Sequence, residues 1–270
     1  VRMASKFYSA AVQGDLGAID LLESSNDPKA LVNELDQDNH TALHWAAQTN
    51  VPKLALQVLQ HGANVNALTI QGFTPIYIAA RRGHTDIVKI LLNANADLSV
   101  LDGHHQTALH RVCENGFENI AALMLSGGAN ANINQQDLMG RTALHWACSK
   151  GLTETTKLLL ERGADILKTK SGETPLHWAC IGNHEESVSA LLKFKPMVKV
   201  YGKNERGESP YDLAQKNIKD LLKMHANSLG IEDEQEAKIS NTQHSTAVKK
   251  LKGKPKAKKL NISFKMKPKK

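Results

Sequence analysis

One phrase recurs six times along this chain of 270 residues, opening at Thr41 (TALHWAA), Thr74 (TPIYIAA), Thr107 (TALHRVC), Thr142 (TALHWAC), Thr174 (TPLHWAC) and Ser209 (SPYDLAQ). The openings lie 33, 33, 35, 32 and 35 residues apart. A period of this length means that one small supersecondary unit is copied and stacked, because a unit so short cannot bury its apolar face alone. The hydrophobic fraction of 41% then supplies a core shared between neighbouring copies.

Each copy reads as two helices. Thr74 is placed to cap a helix with its hydroxyl, and Pro75 takes the first helical position, where no amide hydrogen bond is lost. Thr174-Pro175 and Ser209-Pro210 repeat the device. A turn at Arg82-Gly83-His84 leads to a second helix predicted to carry Ile87, Ile90, Leu91 and Ala94 on one face. Gly62, Asn95, Gly128 and Gly163 each fall 21 residues after an opening Thr, where a left-handed C-terminal cap is required. The variation in period therefore sits in the connections: Gly128 to Gly140 spans 12 positions, Gly62 to Gly72 spans 10 and Gly163 to Gly172 spans 9. The extra residues are expected to lengthen a hairpin-like finger, making Ile133 to Met139 a candidate contact point or a neutral insertion.

The ends differ from the middle. FYSAAVQGDLGAIDLLESS has the helix pair without the phrase, Lys195-Pro196 replaces the capping glycine, and SPYDLAQKNIKDLLKMHA keeps one helical pattern before charge takes over. This gives an N-terminal capping repeat over 3–36, five internal repeats over 37–203, a C-terminal cap over 204–226, and a disordered polar linker with a lysine-rich tail over 227–270.

Histidine and cysteine stand together in HWAC, as they do in zinc and Cys/His catalytic sites. Cys113, Cys148 and Cys180, however, occupy the position of Ala47 and Ala80 in other copies, which makes them small core fillers a full repeat apart. His44, His110, His145 and His177 are expected to hydrogen-bond the loop backbone of the next repeat. Trp45, Trp146 and Trp178 read as core, with an interface anchor as the alternative. No catalytic constellation, metal site or cofactor motif is read from the chain.

On the six phrases, the chain from Met3 to about Ala226 resembles the ankyrin-repeat family. The resemblance implies an all-α ankyrin-repeat solenoid of about seven units with hairpin-like fingers. It also implies a noncatalytic, monomeric adaptor or chaperone that binds a protein on its concave face. DPKALVNELDQDNHTALHWAA at Asp27 to Ala47, TALHRVC at Thr107, and a seven-unit array with a short final helix are similar to gankyrin-like proteasome assembly chaperones. That likeness implies the C-terminal domain of a proteasomal ATPase subunit as partner. The family's partner-reading positions map to Asp38, His40, Gln48, Thr49, Gln71, Phe73, Arg81 and Arg82 in the first units. They continue with His104, Gln106, Glu114, Asn115, Met139, Arg141, Ser149, Lys150, Lys170, Glu173 and Ile181. Phe73 with Arg81-Arg82, extended by Arg141 and Lys150, points to an acidic partner, or else to charges that are merely solvated. Asn66 and Asn132 resemble finger asparagines that the family hydroxylates.

Net charge is +7, but residues 249–270 hold eleven lysines and no acid, so the preceding residues carry −4. Lys249, Lys250, Lys252, Lys254, Lys256, Lys258 and Lys259 resemble a nuclear import signal. The alternative is a nuclear or nucleic-acid-associated regulator whose tail contacts phosphate. Three cysteines, no apolar run of membrane-spanning length and no charged-then-apolar leader predict a cytoplasmic or nuclear protein.

Overall fold

The computed structural model describes residues 2–127 and 132–231, which form fifteen helices and no strand. The N-terminal unit comprises α1 (Arg2–Gln13), α2 (Gly17–Glu23) and α3 (Pro28–Val32). Helix pairs follow: α4 (Ala42–Thr49) with α5 (Pro52–Gln60), α6 (Pro75–Arg82) with α7 (Thr85–Asn93), and α8 (Ala108–Asn115) with α9 (Glu118–Ser126). Then come α10 (Ala143–Lys150) with α11 (Thr153–Glu161), α12 (Pro175–Ile181) with α13 (Glu185–Phe194), and α14 (Pro210–Leu213) with α15 (Lys216–Ser228). First helices pack on first helices, α4 on α6 through to α12 on α14, and second helices pack on second helices from α5 to α13. Two helical layers result, with a core of Leu, Ile, Val and Ala between them. Residues up to 225 form one compact unit; a second begins at Ala226, of which 226–231 are described.

Left-handed residues close the helices where the sequence places Gly and Asn. Asn50, Gly83, Gly116 and Gly151 end first helices, and Gly62, Asn95 and Gly163 end second ones; Gly128 lies outside the described residues. Gly151 is doubly constrained: its φ is +65°, and a Cβ there would sit 2.4 Å from the His184 ring. Cys113, Cys148 and Cys180 are buried free thiols, and burial pushes Cys148 and Cys180 up to about 12.

Three expectations need correction. The buried stripe of α7 is Ile87, Val88 and Leu91, with Ile90 and Ala94 only half-buried, because a helix lying between its layer neighbours covers an i, i+1, i+4 strip. The final unit contains two helices, and α15, with 13 residues, is the longest described, so the array does not end in a short helix. The finger preceding Thr142 is no longer than the rest, as set out below.

Candidate protein-binding face

Every finger has five residues: Asp36–His40, Thr69–Phe73, Asp102–Gln106, Asp137–Arg141, Thr169–Glu173 and Asn204–Glu208. In each, the first backbone N–H donates to the fifth carbonyl at 2.8–3.1 Å. The side chain of the first residue accepts the N–H of the fifth, at 2.8 Å in Asp36 and Asp102 and 3.1 Å in Thr69 and Thr169. Burial works upward on the Asp36, Asp102 and Asp137 carboxyls, but hydrogen bonds hold all three below the usual carboxylate range, the finger N–H donors first at Asp36 and Asp137 and the Tyr77 hydroxyl ahead of them at Asp102. The fourth residue is left-handed in all six fingers: Asn39, Gly72, His105, Gly140, Gly172 and Gly207. The two-residue insertion therefore falls before the finger. Gln135 O accepts from His110 Nε2 at 3.1 Å, and Gln136 Nε2 donates to Gly140 O at 2.8 Å.

The finger is tied to the helix after it. The Thr41 N–H donates to His44 Nδ1 at 3.0 Å, and the same contact recurs at His110, His145 and His177 at 3.1–3.2 Å. Because Nδ1 accepts, the ring proton sits on Nε2, which donates to the next finger: Phe73 O at 3.0 Å from His44, Arg141 O at 3.2 Å from His110, and Glu173 O and Glu208 O at 3.3 Å from His145 and His177. Each imidazole thus caps its own helix and clasps its neighbour. Burial lowers all four, His44 and His145 to about 4.

The unit beginning at Thr74 departs from this scheme. Tyr77 stands where four of the other five units have His, and its hydroxyl donates to Asp102 Oδ2 at 2.5 Å while accepting from Arg111 Nε at 2.7 Å. Arg111 stands where others have Trp, and its Nη1 donates to Glu114 Oε2 at 2.8 Å. The two departures from the phrase are one structural exchange.

Between the first two fingers and the ends of α4 and α6 lies a cleft of about 540 Å³. His40, Gln48, Gln71, Phe73, Arg81 and Arg82, all predicted contact residues, line it together with Ile78. Phe73 is half-buried and stacks on Tyr77, ring centroids 4.7 Å apart and planes within 4°. It is thus an apolar wall of the cleft. Arg82 Nε donates to Gln48 Oε1 at 3.0 Å. Among the described residues no carboxylate pairs with Arg81 or Arg82.

Elsewhere on the face arginines are matched. Arg111 pairs with Asp102 and Glu114, Arg141 with Asp137 at 2.7 Å, and Arg206 with Glu173 at 2.7 Å and Glu208 at 2.9 Å. Arg141 also lies over Trp146, 4.8 Å from the ring centroid. It therefore does not extend a basic strip, as the sequence suggested, because its charge is answered within its own finger. Gln106 is likewise withdrawn: it is buried, and its Nε2 donates to Asp137 Oδ2 at 2.9 Å. The three tryptophans are half-buried on the finger side and not in the core. Trp45 Nε1 reaches Asp36 at 3.1 Å, Trp178 Nε1 reaches Glu173 at 2.9 Å, and Trp146 meets Trp178 edge-on. Asp38, His104, Met139 and Lys150 are exposed but outside the cleft, and Glu114 and Glu173 are held in the pairs above. Lys249 to Lys259 lie outside the described residues.

A model of three ankyrin repeats matches residues 7–102 and 96–170, and a single-repeat model matches 171–199. The chain belongs to the ankyrin-repeat family. Its ankyrin array superposes on the human ASB11 ankyrin repeat domain with a TM-score of 0.65 at 27% identity, covering 81% of this chain and 96% of that one. Over 92 residues it is 36% identical to the tyrosine-protein kinase HTK16 of Hydra vulgaris, covering 33% of this chain and 12% of the kinase. Over 123 residues it is 31% identical to human inversin, covering 46% of this chain and 11% of inversin. The chain spans about a tenth of the length of these curated relatives. The match covers repeats alone, and ankyrin repeats are protein-binding modules, generally noncatalytic. No helix among the described residues is long and apolar enough to cross a membrane.

Proposed function

We propose that this ankyrin-repeat protein is a noncatalytic adaptor whose finger-side face, centred on the cleft at Arg81 and Arg82, binds a partner presenting carboxylates. One observation carries the reading: the other arginines of that face have carboxylate partners within the chain, while among the described residues these two have none. Their place in the last turn of α6 complements the helix dipole, but leaves their outward N–H donors to water or to a partner. The gankyrin-like reading makes the C-terminal domain of a proteasomal ATPase subunit the first partner to test, in cytoplasm or nucleus. It rests on the passage from Asp27 to Ala47 and the TALHRVC variant, and the long final helix speaks against it.

The eleven lysines beyond residue 248 favour a second reading, in which the tail binds nucleic acid and the repeats recruit. Affinity capture from nuclease-treated extract with the full chain and with residues 249–270 deleted separates the two. The adaptor reading expects the same partner from both. Capture that requires the tail and vanishes with nuclease would replace it with the second.

A further inference from the structure

The fingers are stitched together unevenly. At four of the five steps between them, the second residue of one finger donates its N–H to the third carbonyl of the finger before: Ile70 to Asp38 at 3.0 Å, Leu138 to His104 at 3.2 Å, Lys170 to Met139 at 2.9 Å and Glu205 to Ser171 at 3.0 Å. The step from the second finger to the third lacks this bond. There the exposed Gly103 N–H and Gln71 O have no partner among the described residues and are left to water. The imidazole clasp is missing at the same step, because Tyr77 bonds the Asp102 side chain in place of a backbone carbonyl. A third tie is missing at the turn between helices. His84 and His184 donate to Ala47 O and Ser149 O of the preceding unit at 2.9 Å; Phe117 stands at that offset in the third unit, as Leu152 does in the fourth, where the other two ties are kept. The gap is wider to match: a Cβ on Gly72 would lie 3.6 Å from the nearest atom of the next unit, against 3.0 Å for Gly140 and 3.1 Å for Gly172.

The polar ties that remain across this step run through side chains. Arg111 Nε and Asp102 meet the Tyr77 hydroxyl, Asn115 Nδ2 donates to Arg81 O at 2.9 Å, and Asn66 Oδ1 accepts from Asp97 N–H at 2.9 Å. The last of these lies ahead of the fingers and recurs at other steps as Asn33 with Asn64 and Asn134 with Asp165. The base of the step is therefore held as elsewhere while the finger tips are released. We infer that the array hinges between its second and third fingers, pivoting near Asn66 and Asp97, with Tyr77, Asp102 and Arg111 as the lock that sets the resting angle. The cleft turns as one piece, because the Phe73 O clasp, the Ile70 to Asp38 bond and the Arg82 to Gln48 bond all join the two units that line it. Such a hinge swings the cleft against the rest of the face without deforming it, and lets one chain match partner surfaces of different curvature. It does not depend on what the cleft binds.

Double electron–electron resonance on the full-length chain tests this, with nitroxides on cysteines introduced in place of Asp38, His104 and Ser171. All three are exposed third residues of their fingers, and the native cysteines are buried. The pairs 38/104 and 104/171 each span two steps, and only the first pair spans the hinge. Its distance distribution should be about twice as broad as that of 104/171. Tyr77→Phe should broaden it further, and Tyr77→His/Arg111→Trp should narrow it toward the width of 104/171; fraying of the N-terminal unit would answer to neither change. Equal widths for the two pairs in the wild type overturn the hinge. A broad 38/104 pair that neither variant alters places the breadth at the end of the array and overturns it as well.

Discussion

The stretch around α6 and the stretch from α10 to α12 share one repeat plan and one face, yet they handle charge in opposite ways. From α10 to α12 the phrase is intact: His145 and His177 clasp successive fingers, the Trp146 and Trp178 rings meet, and Arg141 and Arg206 are neutralised by Asp137, Glu173 and Glu208. Around α6, Tyr77 and Ile78 replace the His-Trp pair, Phe73 folds onto Tyr77, and Arg81 and Arg82 face the cleft with no carboxylate partner among the described residues. An intact phrase is thus largely self-satisfied. A broken one leaves binding capacity unused by the fold, and that is where a partner is to be sought.

Acid should break the comparison most strongly. His44 and His145 titrate near 4 in the folded chain against about 6.5 unfolded, so the unfolded chain binds more protons between those values. Their contribution is complete above pH 6.5 and is lost as pH falls toward 4, on the order of 2 kcal/mol for each ring. Urea midpoints measured from pH 7 to 4.5 should fall accordingly. Amide protection factors, with the intrinsic exchange rate at each pH divided out, should fall from pH 7 to 5 in residues 36–45 and 137–178 more than in 74–82, where Tyr77 replaces the imidazole.

The Tyr77 exchange offers a second test. Tyr77→Phe strands Arg111 Nε and leaves Asp102 Oδ2 only its 3.4 Å contact with Arg111 Nη2, which should cost about 1–3 kcal/mol in equilibrium unfolding. Restoring the phrase with Tyr77→His and Arg111→Trp together should leave stability nearer the wild type than either single change, since the two departures compensate each other. The smallest effect sharpens the finger rule. His105 holds the left-handed position at φ +58°, where four of the six fingers use Gly, and His105→Gly should gain about 0.5 kcal/mol.

Much of the fold was legible because the repeat is a backbone device. Thr caps, first-turn prolines and glycines at fixed offsets mark where helices begin and end, whatever lies between them. The second half of the cap was not, because His44 reads as a link to the next finger until its Nδ1 is seen on Thr41. The constant finger was hidden because its opening residue changes chemistry, Asp to Thr to Asn, while keeping one acceptor oxygen in place. Six cleft residues could be named in advance, since their offsets from Thr are fixed. Which arginines were matched could not, because Asp102 reaches Arg111 across a fold contact and Asp137 reaches Arg141 only through the turn of their shared finger.

The measurement that bears most directly on the central claim is quantitative affinity capture from extract with three full-length chains: wild type, Arg81→Glu/Arg82→Glu, and Lys150→Glu/Lys170→Glu. All four substituted side chains are exposed, so the fold should survive in each. We expect the first double variant to lose partner binding about a hundredfold, while the second retains it within a few-fold. Full retention by Arg81→Glu/Arg82→Glu, or loss confined to Lys150→Glu/Lys170→Glu, would contradict the account.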